Sequence, residues 1–392
     1  MKILSIGSDR DLFNVDSAVL SRVKEQAALV TEMHVVVFTP RGEKFKKIHV
    51  DKHLTIYPTS SVGKWAYLPD AFRIAKAIIP RASREHHASR WLITTQDPFE
   101  TGALGFLLGK ILHVPLHLQI HTDPWSDAWK KERKLNFLRF AVMRFLLRGA
   151  AGIRVVSKRV HESVLHEGVD PACVTQVPIF TDVKAWKKEK PSFDLHQSYR
   201  LFRKIILSMG RLQLEKNFHG LIRAFARVRK IHDDALLIIV GAGPERERLQ
   251  LLASSLGLHD AVVVLPWARN VVSYYKTCDL YVQPSRYEGW GLAVVEAMAS
   301  GTPVLMTDVG VAGELVRDKE TGLVVPVGDE EALADGIVHL LANDALRKSL
   351  AKAALHEVLH LPSHDETLAL YKESWENVLE YYGNQKTKQD NK

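Results

Sequence analysis

The chain has 392 residues, of which 46% are hydrophobic and 25% charged, and its formal net charge is +8. This length excludes one compact core and predicts two domains of fewer than about 200 residues each. The composition is that of an ordinary globular protein, and the positive charge suits an anionic partner, although it also serves solubility.

Short apolar strands alternate with helices along the first half of the chain. The pattern predicts strands at residues 3–6, 34–38, 91–95, 116–120 and 153–156, and helices at 17–29, 66–79, 102–112 and 125–148. The charged residues 41–52 predict a loop or an exposed hairpin. Strands and helices that alternate at this spacing indicate a parallel sheet covered on both faces.

The alternation restarts after the charged, proline-containing segment 186–193, which predicts a linker between domains. Strands are expected at 205–208, 235–240, 262–265, 280–283, 304–307 and 323–325. Helices are expected at 218–231, 245–256, 271–277 and 292–300, followed by more than one helix within 329–360 and a last helix at 367–382. A frayed polar tail at 383–392 is expected to follow. The predicted organisation is a first domain at 1–185, a linker at 186–200, a second domain at 201–365 and a C-terminal segment at 366–392 that can pack back on the first domain.

The expected fold class is therefore α/β, with two doubly wound Rossmann-like domains. In such sheets, ligands bind outside the carboxyl ends of the strands, where the strand order reverses. Two such domains that face each other would leave a central cleft, and pockets favour interfaces between domains.

A glycine-rich loop follows the strand at 280–283. Gly289 and Gly291 end the strand, and residues 292–300 favour a helix that Gly301 and Pro303 stop. Such a loop leaves backbone N–H groups of the first helical turn unpaired, and the helix dipole favours an anion beside them. The stretch therefore predicts a phosphate site.

Two glutamates flank this loop, Glu288 before it and Glu296 within the helix. A wholly helical span would separate them by about 12 Å, wider than the roughly 5 to 9.5 Å of a glycosidase carboxylate pair. Carboxylates accept hydrogen bonds from hydroxyl groups, so a sugar at one end and a ribose at the other would suit the pair. For either residue alone, a buried or a surface glutamate beside an ordinary turn is the alternative.

The stretch EGWGLAVVEAMASGTPV, which begins at Glu288, resembles the signature of retaining glycosyltransferases of family 4, which have the GT-B fold. The resemblance implies that Glu288 contacts the donor sugar and that Glu296 contacts the ribose. Backbone N–H groups of Trp290, Gly291 and Leu292 would meet the phosphate and the sugar. The family usually has Phe at the position of Trp290.

A second motif, GRLQLEKN at residues 210–217, follows the strand at 205–208. It places Arg211 and Lys216 at the carboxyl end of that strand, where a diphosphate would need cations. The family has a similar G-R-x-x-x-x-K-N element whose Arg and Lys hold the donor diphosphate. The resemblance assigns this role to Arg211 and Lys216 beside Gly210, whereas either cation alone would be a solvated surface charge.

Three further positions belong to the donor site that the resemblance implies. His121 lies at the end of the strand at 116–120, where the family has a His that contacts the transferred sugar. Gly7 ends the first strand, where the family has a glycine-rich loop near the donor phosphate, and the sequence Ser-Asp-Arg that follows Gly7 departs from that pattern. Trp267 follows the strand at 262–265 and would either stack on the nucleotide base or pack in the core.

Other polar residues receive a structural interpretation. His117 should lie in the sheet core, because strand geometry does not pair it with His121 as a helical metal motif would. Asp97 suits helix capping better than contact with the acceptor, and the Asp-x-Asp run at 9–11 suits a solvated loop. Residues 241–243 lack the third glycine of a dinucleotide fingerprint, and two distant cysteines indicate neither a disulfide framework nor a zinc site. No metal and no cofactor is expected.

The predicted helix at 125–148 carries, from residue 129 onward, basic residues among large apolar ones. This pattern suits contact with anionic lipid, although a helix with one face in the core and the other in water is the more common case. No run of 18 apolar residues is present, and the N-terminal apolar run is too short for a signal peptide. A cytoplasmic location follows, with peripheral contact with the inner face of the membrane as an option.

The sequence thus predicts a retaining glycosyltransferase that moves a sugar from a UDP- or GDP-linked donor to a hydroxyl group of a glycan or lipid-linked acceptor. Cell-envelope polysaccharide or glycolipid synthesis is the expected setting. A sugar-nucleotide epimerase or hydrolase of the same fold is one alternative. A non-enzymatic nucleic-acid or membrane-surface binder is another, although no nucleic-acid motif is present and no nucleic acid is expected as a partner.

Overall fold

The computed structural model describes residues 1–79 and 91–390, with side chains through residue 385, and the chain divides into two compact units. Unit 1 comprises Met1–Trp125, Arg133–Pro178 and the chain from His364 onward. Unit 2 comprises Ser126–Glu132 and Ile179–Ser363. Each unit is built on one sheet, which agrees with the predicted α/β class.

Unit 1 contains an eight-stranded sheet in the order β3-β4-β2-β1-β5-β6-β7-β8. All its neighbours pair in parallel except β3 and β4, which form an antiparallel hairpin. Its strands are β1 (Lys2–Gly7), β2 (Glu32–Val37), β3 (Ile48–His49), β4 (Leu54–Pro58), β5 (Trp91–Thr95), β6 (Leu116–Ile120), β7 (Gly152–Val155) and β8 (Val174–Gln176). The hairpin expected near 41–52 is therefore present, and β4 and β8 are strands that the sequence pattern missed.

Unit 2 contains a six-stranded parallel sheet in the order β11-β10-β9-β12-β13-β14. Its strands are β9 (Lys204–Met209), β10 (Ala235–Val240), β11 (Val262–Leu265), β12 (Leu280–Gln283), β13 (Val304–Thr307) and β14 (Leu323–Val325). The strand order reverses between β9 and β12, so the loops that follow these two strands diverge and leave a crevice for a ligand.

Helices connect the strands in both units. In chain order they are α1 (Ala18–Ala28), α2 (Tyr67–Ile78), α3 (Glu100–Leu112), α4 (Asp127–Glu132), α5 (Asn136–Gly149), α6 (Lys158–His166), α7 (Val183–Lys188), α8 (Leu195–Ser198), α9 (Phe218–Ile231), α10 (Arg246–Ser255), α11 (Val271–Thr277), α12 (Leu292–Ala299), α13 (Glu330–Ala342), α14 (Asp344–Val358) and α15 (His364–Asp390).

Apolar strand sequences place these sheets in the interior of each unit. In β1, Ile3 belongs to one apolar cluster, whereas Leu4 and Ile6 belong to another, because successive side chains point to opposite faces. The sheet of unit 1 is therefore covered on both faces. Every residue of β10 is buried in the same way, as a continuous apolar run in a parallel strand requires.

Two predicted elements are wrong in detail. The helix expected at 125–148 is two helices, α4 and α5, separated by a turn in which the N–H of Asn136 donates to the carbonyl oxygen of Arg133 at 2.9 Å. The tail expected to fray is helical to Asp390, because α15 continues through it.

The predicted domain boundary is also displaced. Residues 186–200 were expected to link the domains, but they lie inside unit 2, and the division falls between Pro178 and Ile179. The segment is held there by contacts with α11: the N–H of Ser192 donates to the Ser273 hydroxyl at 2.8 Å, and Leu195 is buried. Its polar composition therefore reflects surface helices and not a free linker.

Helix α15 packs on the sheet of unit 1. Trp375 and Val378 are buried in the same apolar cluster as Ile3 of β1. Gly152 of β7 allows this approach, because a Cβ at that position would lie 2.2 Å from the Val378 side chain. Helix α15 thus contributes to the core of the first unit.

Candidate active site

The two loops at the switch point of unit 2 are joined to each other. One loop, residues 210–217, follows β9, and the other, residues 284–291, follows β12. The backbone N–H of Arg286 donates to the carbonyl oxygen of Glu215 at 2.8 Å. The two sequence motifs therefore form one site.

An ion pair between Lys216 and Glu288 lies at the centre of this site. Lys216 Nζ is 2.5 Å from Glu288 Oε1, and the two side chains are only 16% and 12% exposed. The same oxygen accepts hydrogen bonds from Gln283 Nε2 and Ser285 Oγ, both at 2.8 Å. Within the described part of the chain, Oε2 has no hydrogen-bond donor, so this oxygen is available to a ligand hydroxyl group.

Tyr281 fixes the orientation of the Gln283 amide. Its hydroxyl group donates to Gln283 Oε1 at 2.5 Å, so the amide nitrogen faces Glu288. A tyrosine hydroxyl is protonated at neutral pH, and burial raises the pKa of Tyr281 further above its usual value, so the phenol remains a donor. Sequence reasoning missed Tyr281, Gln283 and Ser285; their spacing of two along β12 and just beyond it, ahead of Glu288, was the available signal.

The N-terminus of α12 forms the second part of the site. Gly291 adopts a left-handed conformation with φ of 104° and, as the N-cap residue, has no side chain with which to cap the helix that begins at Leu292. Gly310 backs this loop, because a Cβ there would lie 2.2 Å from the Trp290 carbonyl oxygen. The N–H groups of the first turn therefore remain suited to an anion. Trp290 itself is buried, so only its backbone can contribute.

Glu296 has a different environment from Glu288. The hydroxyl group of Tyr275 donates to Glu296 Oε2 at 3.1 Å, and Tyr275 is buried. Burial raises the pKa of Glu296 to about 7, and the Tyr275 hydrogen bond only partly offsets this effect. The carboxyl group therefore titrates near neutral pH, where a hydroxyl ligand would favour its ionised form.

Arg211 and Trp267 lie at the surface of unit 2. Arg211 Nη2 is 3.4 Å from Glu215 Oε1, and the Arg211 side chain is 69% exposed. Trp267 is 62% exposed, so the alternative that it packs in the core is wrong. Gly210, with φ of 156°, packs against Gly241, where a Cβ would lie 1.9 Å from the Gly210 carbonyl oxygen.

In unit 1, Gly7 is the last residue of β1, and His121 follows β6. A Cβ at Gly7 would lie 2.0 Å from Gln96 Oε1, so the glycine permits close packing of that side chain. His121 is exposed, and its Nε2 is 3.2 Å from Gln119 Oε1. His117 is buried in the sheet as expected, with Nδ1 2.9 Å from Thr94 Oγ1.

Two acidic residues of unit 1, Asp97 and Asp9, accept hydrogen bonds from backbone N–H groups two residues further along the chain. The Asp97 carboxylate accepts from the N–H of Phe99 at 2.8 Å, one residue before α3 begins. The Asp9 carboxylate accepts from the N–H of Asp11 at 3.1 Å. Within residues 1–79 and 91–390, no three His, Cys, Asp or Glu side chains are grouped as a metal ion would require.

Two doubly wound domains in one chain are the architecture of the GT-B class of folds. Two glycosyl transferase family models match the chain, one in each half of it. Residues 195–357 match the family described as "Glycosyl transferases group 1", and residues 16–179 match "Glycosyl transferase 4-like domain". The predicted family and fold class are thus confirmed.

Individual relatives match over part of their length. An uncharacterized glycosyltransferase of Methanocaldococcus jannaschii is 31% identical over 230 residues, which cover 55% of this chain and 58% of the relative. The lipopolysaccharide core biosynthesis glycosyltransferase LpsE of Rhizobium meliloti is 36% identical over 155 residues, which cover 40% of this chain and 44% of the relative. The chain spans about half the length of the curated relatives it matches.

Solved structures resemble the chain over nearly its whole length. HepE of Anabaena, in complex with UDP and glucose, gives a TM-score of 0.72 at 20% identity and covers 95% of this chain and 98% of its own. At this identity the likeness establishes the fold.

Proposed function

We propose that the protein is a retaining glycosyltransferase that transfers a sugar from a nucleoside-diphosphate donor to a hydroxyl group. The observation that carries the proposal is the Lys216–Glu288 pair beside the N-terminus of α12, at the switch point of unit 2. A cation and a helix N-terminus suit a diphosphate, and a carboxylate oxygen without a donor suits a sugar hydroxyl group.

Each site residue has a role in this proposal. Lys216, the N–H groups at the start of α12 and the more exposed Arg211 hold the diphosphate. Glu288 Oε2 accepts from a donor-sugar hydroxyl group, Glu296 accepts from the ribose, and His121 contacts the transferred sugar. Trp267, exposed in the loop after β11, offers a ring face to the base.

The reaction exchanges one carbon–oxygen bond for another. The bond between the anomeric carbon and the diphosphate oxygen breaks, and a bond to the acceptor oxygen forms on the same face of the sugar. The acceptor proton passes to a phosphate oxygen of the leaving diphosphate. Lys216 and the helix N-terminus stabilise the charge that develops on that group, so the chemistry calls for no metal ion.

A UDP sugar is the first donor to test, because HepE, which shares the fold, binds UDP and glucose. We expect one member of a panel of UDP-, GDP- and ADP-sugars to raise the unfolding temperature. At 100 times its Kd, a ligand adds about 2.7 kcal/mol of stability. Absence of a shift with every donor, at concentrations up to millimolar, would contradict the proposal.

The same measurement tests Glu296. A ribose hydroxyl group donates to the ionised carboxylate, and the pKa of free Glu296 is about 7. Binding therefore costs deprotonation below that pH, and donor affinity should be about tenfold weaker at pH 6 than at pH 8. Glu296→Gln is the matched control, in which this pH dependence should disappear. A wild-type affinity that does not change with pH removes Glu296 from the ribose site and leaves the transferase proposal intact.

We further propose a glycan or lipid-linked acceptor and contact with an anionic membrane. LpsE, by its name, acts in lipopolysaccharide core synthesis. Large apolar side chains of α3, α5 and the turn before α5 are exposed, and basic side chains lie among them. We call this set the apolar–basic patch: Leu107, Lys110, Ile111, Lys134, Leu135, Phe137, Leu138, Arg144, Phe145 and Arg148. No helix in the described ranges, 1–79 and 91–390, has the length and apolar character needed to cross a bilayer.

Vesicle sedimentation tests this patch. Phe137 and Phe145 are 77% and 65% exposed, and burying a Phe in lipid contributes about 1.5–3 kcal/mol. We expect wild-type protein to bind phosphatidylglycerol vesicles, less tightly at high salt, and Phe137→Ser with Phe145→Ser to weaken binding tenfold or more. Leu251→Ser, at an exposed site of unit 2, is the control. Equal partition of all three proteins, or no binding by wild type, would exclude a membrane role for the patch.

A further inference from the structure

A buried polar network lies behind His121 on the neighbouring strands β5, β6 and β7. Arg154 of β7 is only 1% exposed. Its Nη1 donates to Gln119 Oε1 at 2.9 Å, and its Nη2 donates to the carbonyl oxygen of Val177 at 2.9 Å. The ring of Tyr371 from α15 lies 4.2 Å from the guanidinium carbon. The described part of the chain provides no carboxylate partner for this guanidinium.

The network determines which nitrogen of His121 carries a proton. A guanidinium can only donate, so the Gln119 atom that it contacts is the amide oxygen. The amide nitrogen then donates to Thr94 Oγ1 at 3.0 Å. Because the same amide oxygen is 3.2 Å from His121 Nε2, that nitrogen must carry hydrogen. In the neutral ring, Nδ1 is therefore the acceptor.

Positive charge around the ring opposes its protonation. Desolvation, followed by the positive charges of Arg154 and Arg22, lowers the pKa of His121, even though the residue keeps an exposed surface. Burial also lowers the pKa of the Arg154 guanidinium, and Tyr371 partly offsets this effect. An unpaired buried cation is costly to the fold, so its position beside a site residue suggests a use.

We infer that Arg154 is a positioning residue that acts through Gln119: it holds His121 as a neutral imidazole with hydrogen on Nε2, so that Nδ1 accepts a hydrogen bond from a substrate hydroxyl group. The inference rests on the proposed function for the identity of the substrate. The protonation state of the His121 ring can be measured without any substrate.

The test is ¹⁵N NMR of the full chain labelled at histidine, with His121 identified by its loss in His121→Gln. We expect His121 to be neutral at pH 7, with hydrogen on Nε2. Gln119→Glu keeps both acceptor contacts but adds a negative charge, so it should raise the titration midpoint of His121 by about 1–3 pH units. Arg154→Met should raise it as well, whereas Arg154→Lys should stay close to wild type.

Further readouts separate positioning from simple structural support. His166, the last residue of α6, is an internal reference whose ¹⁵N signals should be the same in every variant. If Gln119→Glu leaves the His121 midpoint unchanged, or if wild-type His121 is charged at pH 7 or protonated on Nδ1, the inference is wrong. Should Arg154→Met fail to fold, Gln119→Glu decides alone.

With an active donor, Gln119→Glu should lower kcat at acidic pH more than at alkaline pH. Failure of transfer with the expected NMR result would instead contradict the proposed function.

Discussion

Replacing Lys216 with Met is expected to lower the rate of nucleoside diphosphate release from the donor by about 10²–10³-fold. Lys216 is the mostly buried cation of the switch-point loops, 2.5 Å from Glu288. A buried cation acts on developing phosphate charge with little screening, whereas Arg211 is 69% exposed and can compensate only weakly. Release should be measured with an acceptor and, as slow donor hydrolysis, with water alone.

Lys230→Met is the matched control, because Lys230 is exposed on α9 of the same unit. It should release diphosphate at the wild-type rate. Thermal unfolding of both variants shows whether a lost rate reflects a lost fold. A folded Lys216→Met protein with near wild-type release would remove the basis of the diphosphate assignment.

Glu288→Gln is expected to lower turnover by about 10²-fold or more while leaving the affinity for the free nucleoside diphosphate within a few-fold of wild type. The proposed contact is with the sugar, which only the donor carries. The variant should therefore bind the donor no more tightly than it binds the free nucleoside diphosphate. The amide also removes the negative charge beside Lys216, which leaves that cation without its partner. Calorimetric titration with donor and with product separates the two affinities.

Combining the two substitutions tests whether the residues act as a unit. If they do, Lys216→Met with Glu288→Gln should cost little more than the worse single variant, since either change breaks the same pair. Fully multiplicative losses would place the two side chains in independent roles. Glu247→Gln, exposed on α10, controls for the loss of one negative charge in unit 2.

The sequence predicts the sheets well because buried parallel strands read as apolar runs. The six residues of β10, ALLIIV, are all apolar, so this segment is predicted as a strand in the interior of the sheet. β4 was missed because it follows the charged residues of its hairpin, and its apolar residues are few. The break between α4 and α5 was missed because residues 133–135, Arg-Lys-Leu, contain no glycine or proline that would mark the end of a helix.

In the site, too, the sequence predicts what depends on nearby residues and misses what depends on distant ones. The two motifs predict that Lys216 and Glu288 lie at one site, and the structure adds their direct contact. The need for glycine at 241 and 310 could not be predicted, because each requirement comes from a backbone carbonyl oxygen distant in sequence, on Gly210 and Trp290. Likewise, the partners of Arg154 lie on three separate segments, so no local sequence pattern could predict them.

Helix α15 has a consequence for synthesis on the ribosome. Trp375 and Val378 complete an apolar cluster whose other members include the third residue of the chain. The emerging polypeptide can therefore finish folding its second unit before its first, since α15 follows the whole of the second unit in the sequence. A nascent chain stalled before α15 would expose the face that Trp375 covers, and this face is where a chaperone for apolar surfaces would bind.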